Sequence, residues 1–253
     1  MEQKQANKYG KFLGSKLFRF FVSRQLGDNQ IKNLDNIYET FFKNSESPTF
    51  VEIGANDGRR VSNSIRLTFK NWRGFLVEPV PAIAEKAAHN FRYFDNVTIH
   101  NTAIGEPGRS TLRIHLADLL STARPELFRE YQGISWAKGM ISRETIEVPC
   151  ITLDKFLTEQ KIAPNFELLI IDVEGFEAQV LKGFQINVWR PQMIIIELSD
   201  IHPELKSLQK EHARLYLQVT KGDYIVIYKD LINTVFVRKE LYLRQCVNDS
   251  KGS

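Results

Sequence analysis

Two short runs constrain this chain more than anything else in it. "FELLIID" (166–172) and "QMIIIELS" (192–199) carry the unbroken aliphatic stretches LLII and MIII. A strand with one wet face alternates apolar and polar residues; an unbroken run needs cover on both faces, as a central strand has between two helix layers. The surrounding sequence supplies those layers. "TFVEIG" (49–54), "GFLVEPV" (74–80) and "NVTIHNTAIG" (96–105) read as further strands. Helical spacing lies between them: Ile31, Leu34, Ile37, Tyr38, Phe41 and Phe42 over 29–43, with Asp28 or Asn29 as cap; Val61, Ile65 and Phe69; then Ile83, Ala87, Phe91 and Phe94 after Pro81. A helix is expected from about 176 and another beyond Pro203. The closing strands "DYIVIY" and "NTVFVRK" are joined by "KDLI", too short for a parallel crossover, so one of them must be antiparallel. The expected class is α/β, a doubly wound, mostly parallel sheet whose ligands sit beyond the carboxyl ends of its strands.

Residues 106–150 break this rhythm. "STLRIHL" and "ETIEVPC" alternate like half-exposed strands around a polar loop holding Trp136, as expected of an insertion over a sheet edge. With 43% hydrophobic residues, 253 positions can bury a core without metals or disulfides. Cys150 and Cys246 fit no metal spacing and suit a reducing, cytoplasmic setting. A net charge of +4 lacks the clustered basic footprint of a nucleic-acid binder, so no nucleic-acid partner is expected. The segment 8–27 combines basic residues with aromatics and no acid, which fits weak peripheral contact with an anionic membrane or an ordinary packed helix. No feature of the sequence sets an oligomeric state.

The chemistry gathers at the expected strand ends. "VEIGANDGRR" (51–60) ends a strand with Gly54 and Gly58, which allow a sharp turn close to a ligand. The dinucleotide fingerprint G-x-G-x-x-G fails, because Asn56 and Arg59 stand at its second and third glycines. Glu52 would repel a phosphate there but can face an ammonium group. Glu78, at the end of the next strand, can accept hydrogen bonds from both ribose hydroxyls. Ribose without phosphate, beside an amino-acid end, describes S-adenosylmethionine, and the helix after Gly58 is expected to offer N–H groups to its carboxylate.

"FVEIGANDG", "FLVEPVP", "NTAIG", "ITLD", "LLIIDVEGFEAQVLKGF" and "IIIEL", in this order, resemble the FkbM family of S-adenosylmethionine-dependent methyltransferases over about residues 48–240. The resemblance implies a class I, Rossmann-like fold: a seven-stranded, mostly parallel sheet with an antiparallel strand and a β insertion. It frames 1–47 as an N-terminal helical extension, 48–240 as the methyltransferase domain with 106–150 as insertion or cap, and 241–253 as a tail. It implies O-methylation, often of sugar hydroxyls, and places Glu52, Gly54, Asn56, Gly58 and Glu78 around the cofactor, with Ala103 near the adenine and Ser121 bordering the pocket. Asp57-Gly58-Arg59-Arg60 is more charged than the usual family turn, where an apolar residue often precedes the glycine and a tyrosine follows it.

Asp172, Glu174 and Glu177 then follow LLII directly, and a cationic sulfonium at the sheet edge explains why acids are tolerated there. A sugar hydroxyl is a very weak acid, so its methylation calls for a base as the C–O bond forms. Asp172, which also faces the cofactor's reactive end, is the first candidate, followed by Glu174 and His202; Glu197 would hold the acceptor or orient the base. Glu177 fits a plain helix N-terminus better than catalysis, Asp154 fits a helix cap, and His89, His100, His115 and His212 share no motif. A divalent metal on Asp172, Glu174 and Glu197 is conceivable but not expected, since carboxylate clusters also serve without one. The competing functions are a nicotinamide-dependent sugar oxidoreductase, which lacks its glycines and a Tyr-x-x-x-Lys pair, an RNA methyltransferase, and a non-catalytic cofactor-binding module.

Overall fold

A computed structural model describes residues 30–142 and 144–251, of which 248–251 as backbone only. The segment 8–27 and the suggested caps Asp28 and Asn29 lie outside the described residues. Helix α1 (Leu34–Phe42) precedes strand β1 (Thr49–Ile53), α2 (Ile65–Phe69), β2 (Arg73–Val77), α3 (Pro81–Phe91) and β3 (Val97–His100). Then come β4 (Ala103–Ile104), β5 (Thr111–His115), α4 (Pro125–Gly133), β6 (Thr145–Ile151) and α5 (Leu153–Glu159). The chain continues through β7 (Leu168–Ile171), α6 (Glu177–Lys182), α7 (Ile186–Trp189), β8 (Met193–Glu197), α8 (Gln209–Lys221), β9 (Tyr224–Lys229), β10 (Asn233–Arg238) and α9 (Lys239–Lys251).

Seven strands form the main sheet in the order β3-β2-β1-β7-β8-β10-β9, and only β10 runs antiparallel to its neighbours. The chain winds outward from β1 to β3 and then returns to lay β7 against β1, so the order reverses between those two strands. LLII and MIII are β7 and β8, buried on both faces. Val51, Ile53, Leu169, Ile171, Ile194 and Ile196 face α5, α6, α7 and α8. Phe50, Leu76, Leu168, Ile170, Met193 and Ile195 face α1, α2 and α3. Leu34, Tyr38 and Phe42 of α1 are part of this second layer.

Strand register places the chemistry. Ile53 pairs with Val77 and Ile171, and Ile171 with Ile196, so all four stand at one level. The next residues, Gly54, Glu78, Asp172 and Glu197, therefore form a line along the carboxyl edge. Glu52 stands one step earlier, on the α2 face and among apolar neighbours.

Several elements differ from the sequence expectation. The strand expected over 96–105 is two, broken at Asn101, whose amide donates to the carbonyls of Glu78 and Pro79 at 2.9 Å each. β3 stays in the main sheet, while β4 joins β6 and β5 in a second, three-stranded sheet. The loop expected around Trp136 contains helix α4. Helix α2 is only five residues long; Val61, expected on its face, has φ +53° and is 49% exposed. Asp154 is not the cap of α5: Thr152 is, its hydroxyl accepting the Lys155 N–H. The Asp154 carboxylate instead accepts from Gln185 N, Gln185 Nε2 and Trp189 Nε1 and ties α5 to α7.

Candidate active site

A cavity of about 260 Å³ opens at the carboxyl edge, where β1 and β7 part. Glu52, Gly54, Asn56, Glu78, Ala103, Ser121, Asp172, Glu174, Glu197 and His202 all line it, so the structure brings together every sequence-derived site residue but one. Gly58 is the exception. At φ +70°, a β-carbon there would lie 2.3 Å from the Phe91 ring, so this glycine serves the packing of the turn on α3. The expected helix N-terminus after Gly58 is also absent. Ile65 begins α2 seven residues later, and the N–H groups of Arg59 and Arg60 are taken by Asp57 Oδ1 at 2.9 Å each.

Glu78 closes one end of the cavity. Its carboxylate accepts from Asn56 N at 3.0 Å and Val80 N at 2.8 Å, which fixes its orientation. Burial pushes it up to about 7 although both hydrogen bonds pull it down. Glu52 is pushed up to about 8, chiefly by burial; a hydrogen bond from Ser64 Oγ opposes this and the Asp172 charge adds to it. Ala103 lies in the floor with Ile104 and Leu112. Across the mouth, Arg60 makes a two-pronged ion pair with Asp118 of the insertion, at 2.9 and 3.0 Å.

The opposite end is a wall of three carboxylates. One oxygen each from Asp172, Glu174 and Glu197 can be chosen so that all lie within 4.8 Å of one another. Burial raises all three above the ordinary carboxylate range, and mutual repulsion adds to it for Glu174 and Glu197. Such groups titrate as a unit. The contact between the Asp172 and Glu197 carboxyls lowers Asp172 and raises Glu197. Hard oxygen ligands of this kind would also suit a magnesium-like ion. Glu174 is held by the insertion: Tyr131 Oη donates to its Oε2 at 2.5 Å and Thr122 Oγ1 to its carbonyl at 2.6 Å.

His202 corrects one expectation. Its Nδ1 accepts the N–H groups of Glu204 and Leu205 at 3.1 Å each. The Nδ1 lone pair is therefore taken up by the loop's own backbone and is not free to accept a proton from a substrate. Tyr131 and Trp136 also line the cavity. Neither could be found from sequence, because each reaches the site through contacts across 43 and 68 residues, to Glu174 and Glu204.

A parallel sheet with one antiparallel strand next to its edge, two helix layers and a cavity between β1 and β7 that ends in acids at Glu78 and Asp172 define a class I, Rossmann-like methyltransferase. The model of the Methyltransferase FkbM domain matches residues 52–226, and the chain belongs to that family. It is an S-adenosylmethionine-dependent methyltransferase. Solved structures with a similar fold include an O-methyltransferase from Bacillus cereus, at 10% identity and TM-score 0.46, covering 87% of this chain and 88% of that one. Another is precorrin-6y C5,15-methyltransferase from Geobacter metallireducens, at 12% identity and TM-score 0.44, covering 85% and 93%. No curated protein matches the chain in sequence.

Proposed function

We propose that the chain methylates a hydroxyl oxygen of a sugar or glycoconjugate. The carrying observation is the carboxylate wall at the end of the cavity away from Glu78. Glu78 takes the ribose hydroxyls, Glu52 the amino group, and Gly54 and Asn56 shape the turn around the cofactor. Ala103 lies under the adenine, and Ser121 borders it from the insertion. The methyl then points toward Asp172. An acceptor hydroxyl beside the Asp172–Glu197 pair would give its proton to Asp172 as oxygen attacks the methyl carbon. Electron flow runs from the O–H bond into the new C–O bond, and the C–S pair leaves with neutral sulfur. Alignment at near-attack distance supplies much of the rate, and proton removal by Asp172 the remainder. Several carboxylates and His202 lining one space suit a polyhydroxylated ligand, whose O–H groups donate and accept. Among the described lining residues the single lysine or arginine is Arg60, and Asp118 engages both of its prongs, which leaves little to meet RNA phosphates.

We further infer a cytoplasmic setting from the unpaired Cys150 and Cys246. Among the described residues no helix is long and apolar enough to cross a membrane. Residues 8–27 would supply weak contact with an anionic bilayer.

The test is incubation with tritiated S-adenosylmethionine and separate polysaccharide, lipid, RNA and protein extracts, alongside calorimetry with S-adenosylhomocysteine. Label entering the polysaccharide fraction as an alkali-stable methyl ether is expected. Label entering only RNA or protein would overturn the acceptor class, and an absence of binding heat at high protein concentration would overturn the cofactor site.

A further inference from the structure

We propose that Glu177, joined to Ser199 through the His212 ring, is a positioning residue that fixes the loops after β7 and β8 and so sets Glu174 and Glu197 against the acceptor. The proposal rests on the function just described, in which those two carboxylates meet the acceptor. Glu177 opens α6 yet is fully buried. An acid that merely favours a helix N-terminus stays at the surface; a buried one must be satisfied by donors.

Three donors reach it. Glu177 Oε1 accepts Val173 N at 3.2 Å and Gly175 N at 3.1 Å, the amides on either side of Glu174. Glu174 itself has φ +50°, a conformation that costs a non-glycine residue energy and persists only when its surroundings hold it. On the other side, Glu177 Oε2 lies 3.1 Å from His212 Nε2. His212 is 2% exposed, and its Nδ1 receives the Ser199 N–H at 2.9 Å. A backbone N–H can only donate, so Nδ1 is the lone-pair nitrogen and Nε2 carries the proton. The bridge then has one direction throughout: Ser199 N–H to His212 Nδ1, and His212 Nε2–H to Glu177. Ser199 lies two residues beyond Glu197. One side chain from α8 thus links the turn that carries Glu174 to the segment that follows Glu197.

Glu177→Gln cuts this bridge at one atom. The amide oxygen can keep both loop amides, while the new NH2 opposes the His212 N–H. His212→Gln, which interrupts the bridge from the other side, serves if the first variant does not fold. Two measurements on the full chain decide. Nitrogen-15 NMR of the His212 ring should show the Nε2–H tautomer in the wild type, a readout that needs no acceptor; an Nδ1–H ring overturns the bridge. Turnover is then followed with the polysaccharide fraction labelled above. Glu177→Gln should keep S-adenosylhomocysteine affinity and lower kcat, by up to roughly 100-fold for a displacement near 1 Å. In a Glu174→Gln background the same change should cost several-fold less, because contributions through a shared partner are not additive. Equal losses in both backgrounds, or an unchanged kcat, overturn the positioning role. A wild type that binds no S-adenosylhomocysteine fails the proposed function and takes the positioning role with it, whatever the ring tautomer.

Discussion

Gly54 and Gly108 offer a controlled comparison, because their φ angles are nearly equal and their surroundings are opposite. Their φ angles are +87° and +84°. A β-carbon on Gly108 would meet nothing within 4 Å, whereas one on Gly54 would lie 1.6 Å from the Asp172 carbonyl oxygen. Gly108→Ala therefore carries the conformational cost alone, about 1–2 kcal/mol. Gly54→Ala carries that cost and must also push β1 and β7 apart by more than an ångström at their ends. The hydrogen bonds at risk are Asp172 N to Ile53 O and Gly54 N to Val77 O, both 2.9 Å. A buried backbone group left unsatisfied costs roughly 1–3 kcal/mol, so the second substitution should cost about 2–4 kcal/mol more than the first. For a chain of this size each kcal/mol lowers Tm by roughly 2–4 °C. Differential scanning calorimetry should thus show a few degrees lost for Gly108→Ala and on the order of 10 °C more for Gly54→Ala. Only the second should lose S-adenosylhomocysteine affinity, since only it moves Asp172 relative to the cofactor turn. Equal Tm losses, or full affinity in Gly54→Ala, would refute the claim that this contact sets the geometry of the site.

Glu52 and Glu78, raised by burial to about 8 and about 7, are both mostly protonated in the free protein at about pH 6. An ammonium and ribose hydroxyls favour their ionised forms, so S-adenosylhomocysteine should bind more tightly as pH rises from about 6 to about 8 and release protons, seen as a buffer-dependent binding enthalpy; affinity flat across that window would remove both residues from the cofactor. The same shifts make the free protein's stability contribution from these groups complete below the ordinary value of 4.5 and progressively lost as pH rises through about 7 and 8, so Tm should fall over that range and fall less in Glu52→Gln. Asp172→Asn should lower turnover by roughly 10²–10⁴-fold with S-adenosylhomocysteine binding partly kept, and a variant with wild-type turnover would end its candidacy as base. Tyr131→Phe, which removes the donor to Glu174, should cost about 1 kcal/mol of stability and lower kcat more than cofactor affinity, as steady-state kinetics would show.

What could be foreseen follows the range of each interaction. LLII and MIII announce buried parallel strands because two-sided burial leaves a local composition signature, and the strand-end acids follow because strand register is regular. The break at Asn101 could not be foreseen: "NVTIHNTAIG" has strand-like composition throughout, and what divides it is an amide reaching back to Glu78 and Pro79. The shortness of α2 likewise comes from Ser62 Oγ, which takes the N–H groups of Ser64 and Ile65 and starts the helix late. Gly58 resembles a cofactor glycine because a φ demand and a packing demand look alike in sequence; the Phe91 ring tells them apart. Glu177 and His212 stand 35 residues apart and share no motif, so their pairing is a property of the fold.

The concentration of acids at this edge has a physical order that a list of carboxylates hides. Buried carboxylates a few ångströms apart cannot all be ionised, and hydrogen-bond donors are what offset the burial of each. Glu177 has three and reaches neither solvent nor cavity, so its role is to orient. Glu174 has the Tyr131 hydroxyl, and therefore depends on the insertion. Glu197 Oε2 is buried with no hydrogen-bond partner, and burial together with the neighbouring acids holds Glu197 well above the ordinary carboxylate range, which favours its neutral form and suits the proposed role of Asp172 as base. Pairs whose surroundings push their affinities for protons apart are how one site supplies both an acid and a base near neutral pH. The insertion over 106–150 contributes Asp118, Ser121, Tyr131 and Trp136 to the cavity lining, in the proposed reading the first two beside the cofactor and the last two beside the acceptor. In the proposed reading a change of acceptor would fall on that segment and on the loops after β7 and β8, while the line of Gly54, Glu78 and Asp172 stays bound to the register of the sheet.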